Sequence, residues 1–94
     1  MKTVYEGIDS GLYVFGEFEK FMKEMPDAEL VRGKFSLGVL YQVWHLKGVT
    51  IHYEHNNREV NPKTKVNLHG TPEAISEVEK LILLEQKRRV NEQK

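Results

Sequence analysis

Alternating apolar and polar residues flank the dipeptide Lys47-Gly48, and this pattern constrains the fold more than any other part of the 94-residue chain. A period of two on both sides is typical of half-buried strands. A two-residue turn with glycine at positive φ would join the two runs as an antiparallel hairpin and set Trp44 opposite Ile51. Because both apolar sets then lie on one face, we predict a hairpin over residues 39–55 in this register.

The same register extends to the next strand along the chain. Residues 56–63 have turn composition, and a further alternating run follows them. Pairing Tyr53 with Val66 keeps the apolar face continuous. It also places Glu54 opposite Lys65, which predicts a cross-strand ion pair.

Upstream of the hairpin, Leu37-Gly38 allows two interpretations. A second tight turn would set Phe35 opposite Leu40 and Val31 opposite Trp44. Leucine is a poor residue for positive φ, so one long strand kinked at the glycine is the alternative.

Two other segments have helical spacing. Apolar residues recur every three or four positions over residues 11–25, with Ser10 or Asp9 as a cap and Pro26 as the end. Gly16 weakens the pattern, so the first turn is predicted to be helix, strand or loop. Four aromatic residues are assigned to the core: Phe15, Phe18, Phe21 and Trp44.

The second helix begins at Thr71, a favourable N-cap, followed by Pro72 at the first helical position. Its apolar face continues to about residue 85. The stretch 87–94 is strongly polar, which predicts a partly frayed tail after a single domain over residues 1–86.

The element order predicts an α+β two-layer sandwich. A short β-leaning segment over residues 3–8 precedes a helix, three or four antiparallel strands and a second helix. The length allows one domain with one core. We expect an antiparallel sheet of three to five strands with both helices on the face that carries Trp44.

The other face of the sheet is then open to water or to a partner. It combines basic, aromatic and histidine side chains with one aliphatic and one acidic residue, and Thr50 lies among them. The predicted binding face consists of Arg32, Lys34, Tyr41, Val43, His45, His52, Glu54, Lys65, Asn67 and His69.

Charge is distributed unevenly although the net charge is zero. Residues 1–28 carry three basic and six acidic side chains, residues 29–70 carry six basic and three acidic, and residues 71–94 carry five of each. This segregation favours an anionic partner on the sheet or the head-to-tail pairing of two copies.

The open face allows two chemical interpretations. His45, His52 and His69 are candidates for a zinc site, because the inferred register brings them near one another. His52 and Glu54 have the right chemistry for acid–base catalysis, but no serine or cysteine nucleophile accompanies them, and Glu54 is more simply the partner of Lys65. We therefore expect no catalytic residues and no cofactor.

Binding is the better-supported expectation. A mixed face around Tyr41, Val43 and His45 is typical of protein interfaces and predicts a protein partner or a homodimer, through the open face or an edge strand. The alternative is single-stranded nucleic acid stacked on Tyr41. No stretch is apolar enough to cross a membrane, and the absence of cysteine predicts a cytoplasmic protein.

Overall fold

The computed structural model describes residues 1–58 and 60–92, which form an antiparallel sheet with two α-helices packed on one face. In chain order the elements are β1 (Lys2–Ile8), a turn of 3₁₀-helix (Gly11–Tyr13), α1 (Glu17–Glu24), β2 (Glu29–Ser36), β3 (Val39–Leu46), β4 (Val49–Asn56), β5 (Lys63–His69) and α2 (Pro72–Glu92). The strand order across the sheet is β1-β5-β4-β3-β2. The predicted two-layer α+β fold is confirmed.

The central hairpin has the predicted register. Trp44 pairs with Ile51 and Leu46 with Val49 across the turn. Lys47 and Gly48 have φ values of 50° and 79°. Positive φ at both central residues is the geometry of a type I′ turn, whose twist matches that of the two strands.

β5 also pairs with β4 as predicted, with Tyr53 opposite Val66 and Glu54 opposite Lys65. Lys65 forms its ion pair with a different residue from the predicted Glu54, however. The Lys65 ammonium lies 3.8 Å from a carboxylate oxygen of Glu6 on β1, the strand on its other side.

The β2–β3 connection is a tight turn and not a kink. Leu37 and Gly38 have φ values of 53° and 79°, and Phe35 pairs with Leu40. The predicted pairing of Val31 with Trp44 is wrong, because a bulge makes Val31 an extra residue and sets Leu30 opposite Trp44. Because the bulge adds one residue, Leu30 lies on the helix-covered face and Glu29 on the open face, the reverse of what simple alternation along β2 predicts.

The first helix is shorter than the periodicity suggests. Residues 11–13 form the 3₁₀ turn, and α1 begins after Gly16, whose φ of 87° interrupts the helical path. Neither Ser10 nor Asp9 caps α1. As a result Phe15 lies outside the helix and is 54% exposed, so its assignment to the core is wrong.

The start of α2 is confirmed, since the Thr71 hydroxyl accepts a hydrogen bond from the Ala74 amide at 3.2 Å. The helix continues to Glu92, through most of the stretch predicted as a frayed tail. Residues 93–94 lie outside the described residues, and fraying stays a prediction. No helix within the described ranges combines the length and apolar character needed to span a bilayer.

The core lies between the helices and one face of the sheet. Phe18 and Met22 of α1 are fully buried in it, Trp44 is 2% exposed, and Phe21 is partly buried. The remaining buried apolar residues of this cluster are Leu12, Tyr13, Leu46, Val49, Ile51, Tyr53, Val66, Leu68, Ile75, Val78 and Ile82.

The last turns of α2 hold the connection between β1 and α1. The Gln86 side-chain oxygen accepts a hydrogen bond from the Leu12 amide at 2.7 Å, and its nitrogen donates to the Ser10 carbonyl at 3.2 Å. Arg89 pairs with Glu85 at 2.7 Å and with Glu17 of α1 at 2.5 Å. These contacts fix an irregular segment that has no sheet pairing with the described strands.

Candidate functional site

The ten residues predicted to share the open face do share it. Cross-strand pairing connects them in three rows that run across the sheet from β2 toward β1. The rows are Lys34, Tyr41, Glu54, Lys65 and Glu6; Arg32, Val43, His52, Asn67 and Thr3; and Glu29, His45, Thr50 and His69.

The face is wider than predicted, because β1 adds Thr3 and Glu6 to it. The Thr3 hydroxyl donates to the Asn67 side-chain oxygen at 2.7 Å, and Glu6 provides the carboxylate nearest Lys65. The weak alternation of residues 3–8 identified a strand but did not reveal its partner, so these two residues were missed.

Two adjoining hollows lie on the open face and share Glu54 and Lys65. One, of about 270 Å³, is bordered by Tyr41 and His52. The other, of about 340 Å³, lies toward Glu6 and the end of β1. The carboxylates of Glu6 and Glu54 alternate with the Lys65 ammonium here, so this part of the face has no strong net charge.

The three histidines of the face do not form one cluster. His52 and His69 contact each other edge to face, with ring centroids 4.8 Å apart, whereas His45 lies beside Thr50 and Glu29. Residues 1–58 and 60–92 contain no group of three or more histidine, aspartate or glutamate side chains placed to hold a metal ion. The zinc interpretation therefore gains no support.

The acid–base interpretation also lacks the required contact. Within the described part of the chain, no hydrogen bond joins His52 to Glu54, and the ring contact of His52 is with His69. Glu54 lies between Tyr41 and Lys65 in a different row. The two side chains are on one face without acting as a pair.

Partial burial, and secondarily the neighbouring His69, lower the pKa of His52 below its ordinary value of 6.5. The folded state thus favours the neutral ring. The contribution of His52 to the free energy of unfolding is therefore complete above pH 6.5, the pKa in the unfolded chain, and is lost as the pH falls through the lower pKa of the folded state. We expect an NMR titration to place the His52 midpoint below 6.5. His69→Asn should raise the midpoint toward 6.5, because it removes a competing cation.

His45→Asn is the matched control, since it removes a histidine of the same face that is not in contact with His52. This variant should leave the His52 midpoint unchanged. A wild-type midpoint at or above 6.5, or one that His69→Asn does not move, would contradict the described contact.

A second polar cluster, not predicted from the sequence, is buried on the helix-covered side of the sheet. His55 is 1% exposed, and its Nε2 lies 2.5 Å from a carboxylate oxygen of Asp9. The other carboxylate oxygen accepts a hydrogen bond from the Thr64 hydroxyl at 2.6 Å. The Phe15 ring packs against His55 with centroids 5.0 Å apart.

The burial of this cluster gives it a structural role. Asp9 lies just after β1 and joins that strand end to side chains of β4 and β5. The predicted register already sets His55 opposite Thr64 on the apolar face. The predicted burial of these two polar side chains is the sequence signal that could have revealed the cluster, because buried polar groups need a hydrogen-bond partner.

The edge strand β2 is the most exposed element of the sheet. Every residue from Glu29 to Phe35 is exposed, so the helix layer stops short of this strand. Large apolar side chains are exposed along it and at its turn: Leu30, Val31, Phe35 at 62% and Leu37 at 84%. Tyr41, on the next strand, is 46% exposed and lies on the open face opposite Lys34.

Comparison of the chain with protein-family models, with curated proteins and with solved structures gives no match.

Proposed function

We propose that the protein is a non-catalytic binding module that contacts another protein chain through the open face of the sheet and the adjoining edge strand β2. The observation that carries this proposal is the exposure of four large apolar side chains along β2 and its turn, namely Leu30, Val31, Phe35 and Leu37. Exposed apolar side chains grouped on one part of a surface are characteristic of interaction sites. A heterologous protein and a second copy are both partners of this kind.

Leu37 adds a further argument. A non-glycine residue in the left-handed region costs about 1–2 kcal/mol, and an exposed leucine gains no compensating burial. Asparagine or glycine would suit the turn better, yet leucine occupies it with φ 53°. A partner that covers this side chain would recover the missing burial, which supports a contact at the end of β2.

Val43 lies between Arg32 and His52 on the open face and is suited to test the proposal. We expect immobilised wild-type protein to retain a partner, or to self-associate in light scattering, and Val43→Glu to weaken that association at least tenfold. A buried carboxylate in place of an aliphatic contact is unfavourable in any interface core.

Ser76→Glu is the control, because it introduces the same charge on the exposed side of α2. This variant should associate like the wild type. The proposal is wrong if the wild type is strictly monomeric and retains no partner whose binding Val43→Glu weakens.

Single-stranded nucleic acid remains the alternative ligand. It is favoured by the exposed Tyr41 ring, which can stack on a base, with Lys34 directly opposite it. The carboxylates of Glu6 and Glu54 lie across the same row and weaken this alternative. A salt-dependent titration with RNA or DNA that Tyr41→Ala together with Lys65→Glu abolishes would favour it. The cytoplasmic localisation expected from the sequence stays a prediction.

A further inference from the structure

Among the described residues β2 is the last strand of the sheet, so no other described strand lies beside one side of its backbone. Such an edge presents hydrogen-bonding groups on which an extended segment of another chain can pair. Leu30, Gly33 and Phe35 lie on the helix-covered side of the sheet, because they pair with core-facing residues of β3. Arg32 and Lys34 lie on the open face.

The two cations of β2 form no ion pair with any described residue. Within residues 1–58 and 60–92, no carboxylate lies within 4 Å of the charged groups of Arg32 or Lys34. Lys65 and Lys47, by contrast, lie 3.8 and 3.3 Å from Glu6 and Asp27. The edge therefore presents two positive charges without an ion-pair partner. They are separated by one residue, and both lie on the open face.

This charge pattern opposes pairing of β2 with its own copy in the registers centred on residues 32–34. A twofold axis that joins two such edges into one sheet makes the strands antiparallel. When the axis lies at residue 32, 33 or 34, regular pairing sets Arg32 opposite Arg32, Arg32 opposite Lys34, or Lys34 opposite Lys34. Like charges directly opposite each other destabilise a strand pair.

We propose that β2 accepts an extended acidic segment of another protein by strand addition, with two carboxylates separated by one residue facing Arg32 and Lys34. This inference rests on the proposed protein-binding function and narrows it to one edge and one class of partner. Opposite charges at facing positions stabilise a strand pair. The basic character of the sheet segment, six basic against three acidic side chains over residues 29–70, acts in the same direction.

Gly33 indicates what lies between the two carboxylates. A Cβ built at Gly33 would meet no atom within 4 Å, so the space above it on the helix-covered side is open. Leu30 and Phe35 border this space with exposed apolar surface. A large apolar residue of the added strand can lie there, which gives the segment an alternation of apolar and acidic residues.

The probe is a blocked, fluorescently labelled peptide of eight residues in which valine alternates with glutamate, compared at pH 7 with one in which valine alternates with lysine. We expect fluorescence anisotropy to show wild-type binding to the glutamate peptide at least tenfold tighter than to the lysine peptide. The double variant Arg32→Glu with Lys34→Glu should reverse this preference. The control, Lys20→Glu with Lys23→Glu, has the same change of net charge on α1 and should retain it.

N-methylation of alternate peptide amides separates strand addition from simple charge attraction. Methylating the amides of one peptide edge should abolish binding, while methylating the other edge should leave it within about threefold. Equal affinities for both peptides, or binding that neither methylation pattern reduces, would overturn the inference. A dimer of the protein that the glutamate peptide dissociates would also overturn it, by identifying a second copy as the occupant of the edge.

The two proposals fail separately. If the wild type binds neither peptide but still shows an association that Val43→Glu weakens, strand addition at β2 is wrong and the protein-binding function stands. If the glutamate peptide binds by the expected pattern, both are supported.

Discussion

Replacing Trp44 with alanine should lower the free energy of unfolding by about 3–5 kcal/mol, the usual cost of removing a large aromatic side chain from a core. Trp44 is 2% exposed, and its indole N–H donates to the Gln42 side-chain oxygen at 3.3 Å. Because a domain of this size is stabilised by only about 5–14 kcal/mol, the loss is a large fraction of the total. Urea denaturation followed by circular dichroism measures it.

Tyr41→Ala is the matched control, since Tyr41 lies on the same strand but on the open face and is 46% exposed. It should cost no more than about 1 kcal/mol. If Trp44→Ala does not fold, Trp44→Phe still tests the assignment through a smaller loss. Similar losses for Trp44→Ala and Tyr41→Ala would contradict the separation of the two faces.

Replacing Asp9 with alanine should lower the free energy of unfolding by about 3 kcal/mol, because two buried donors lose a carboxylate acceptor. The His55 Nε2 and the Thr64 hydroxyl both lie within 2.6 Å of the Asp9 oxygens. Thr64 can still donate to the Tyr13 carbonyl at 2.8 Å, but no such alternative is described for His55. Thermal and urea unfolding give the measurement.

Asp27→Ala provides the control, since Asp27 forms an ion pair with Lys47 in which both side chains are substantially exposed. Exposed pairs contribute little, so this variant should remain within about 0.5 kcal/mol of the wild type. Equal effects of the two substitutions would show that the Asp9 cluster contributes no more than surface electrostatics.

Local rules were sufficient for the centre of the sheet. Lys47-Gly48 has the composition of a two-residue turn, and once its position is fixed, alternation determines which residues pair with Trp44 and Tyr53. Thr71-Pro72 likewise marks the start of α2 by its own chemistry. The face that carries the candidate site followed from the same alternation.

The features missed depend on contacts between distant parts of the chain or on local irregularities. The bulge at Val31 and the positive φ of Gly16 change the backbone path without altering the apolar spacing around them. The partner of His55 is Asp9, 46 residues earlier and in a connecting segment, where alternation predicts nothing. The exposure of Phe35 was also hidden, because the pattern shows which face a residue occupies but not how far the helices extend over it.

The contact between Gln86 and Leu12 joins residues 74 positions apart, and β1 pairs with a strand that begins at Lys63. During translation the first strand is therefore made long before the segments that hold it in place. Its partner β5 is made only after β2, β3 and β4. Pairings between distant segments form more slowly than those between neighbouring strands, so the addition of β1 to the sheet follows synthesis of most of the domain.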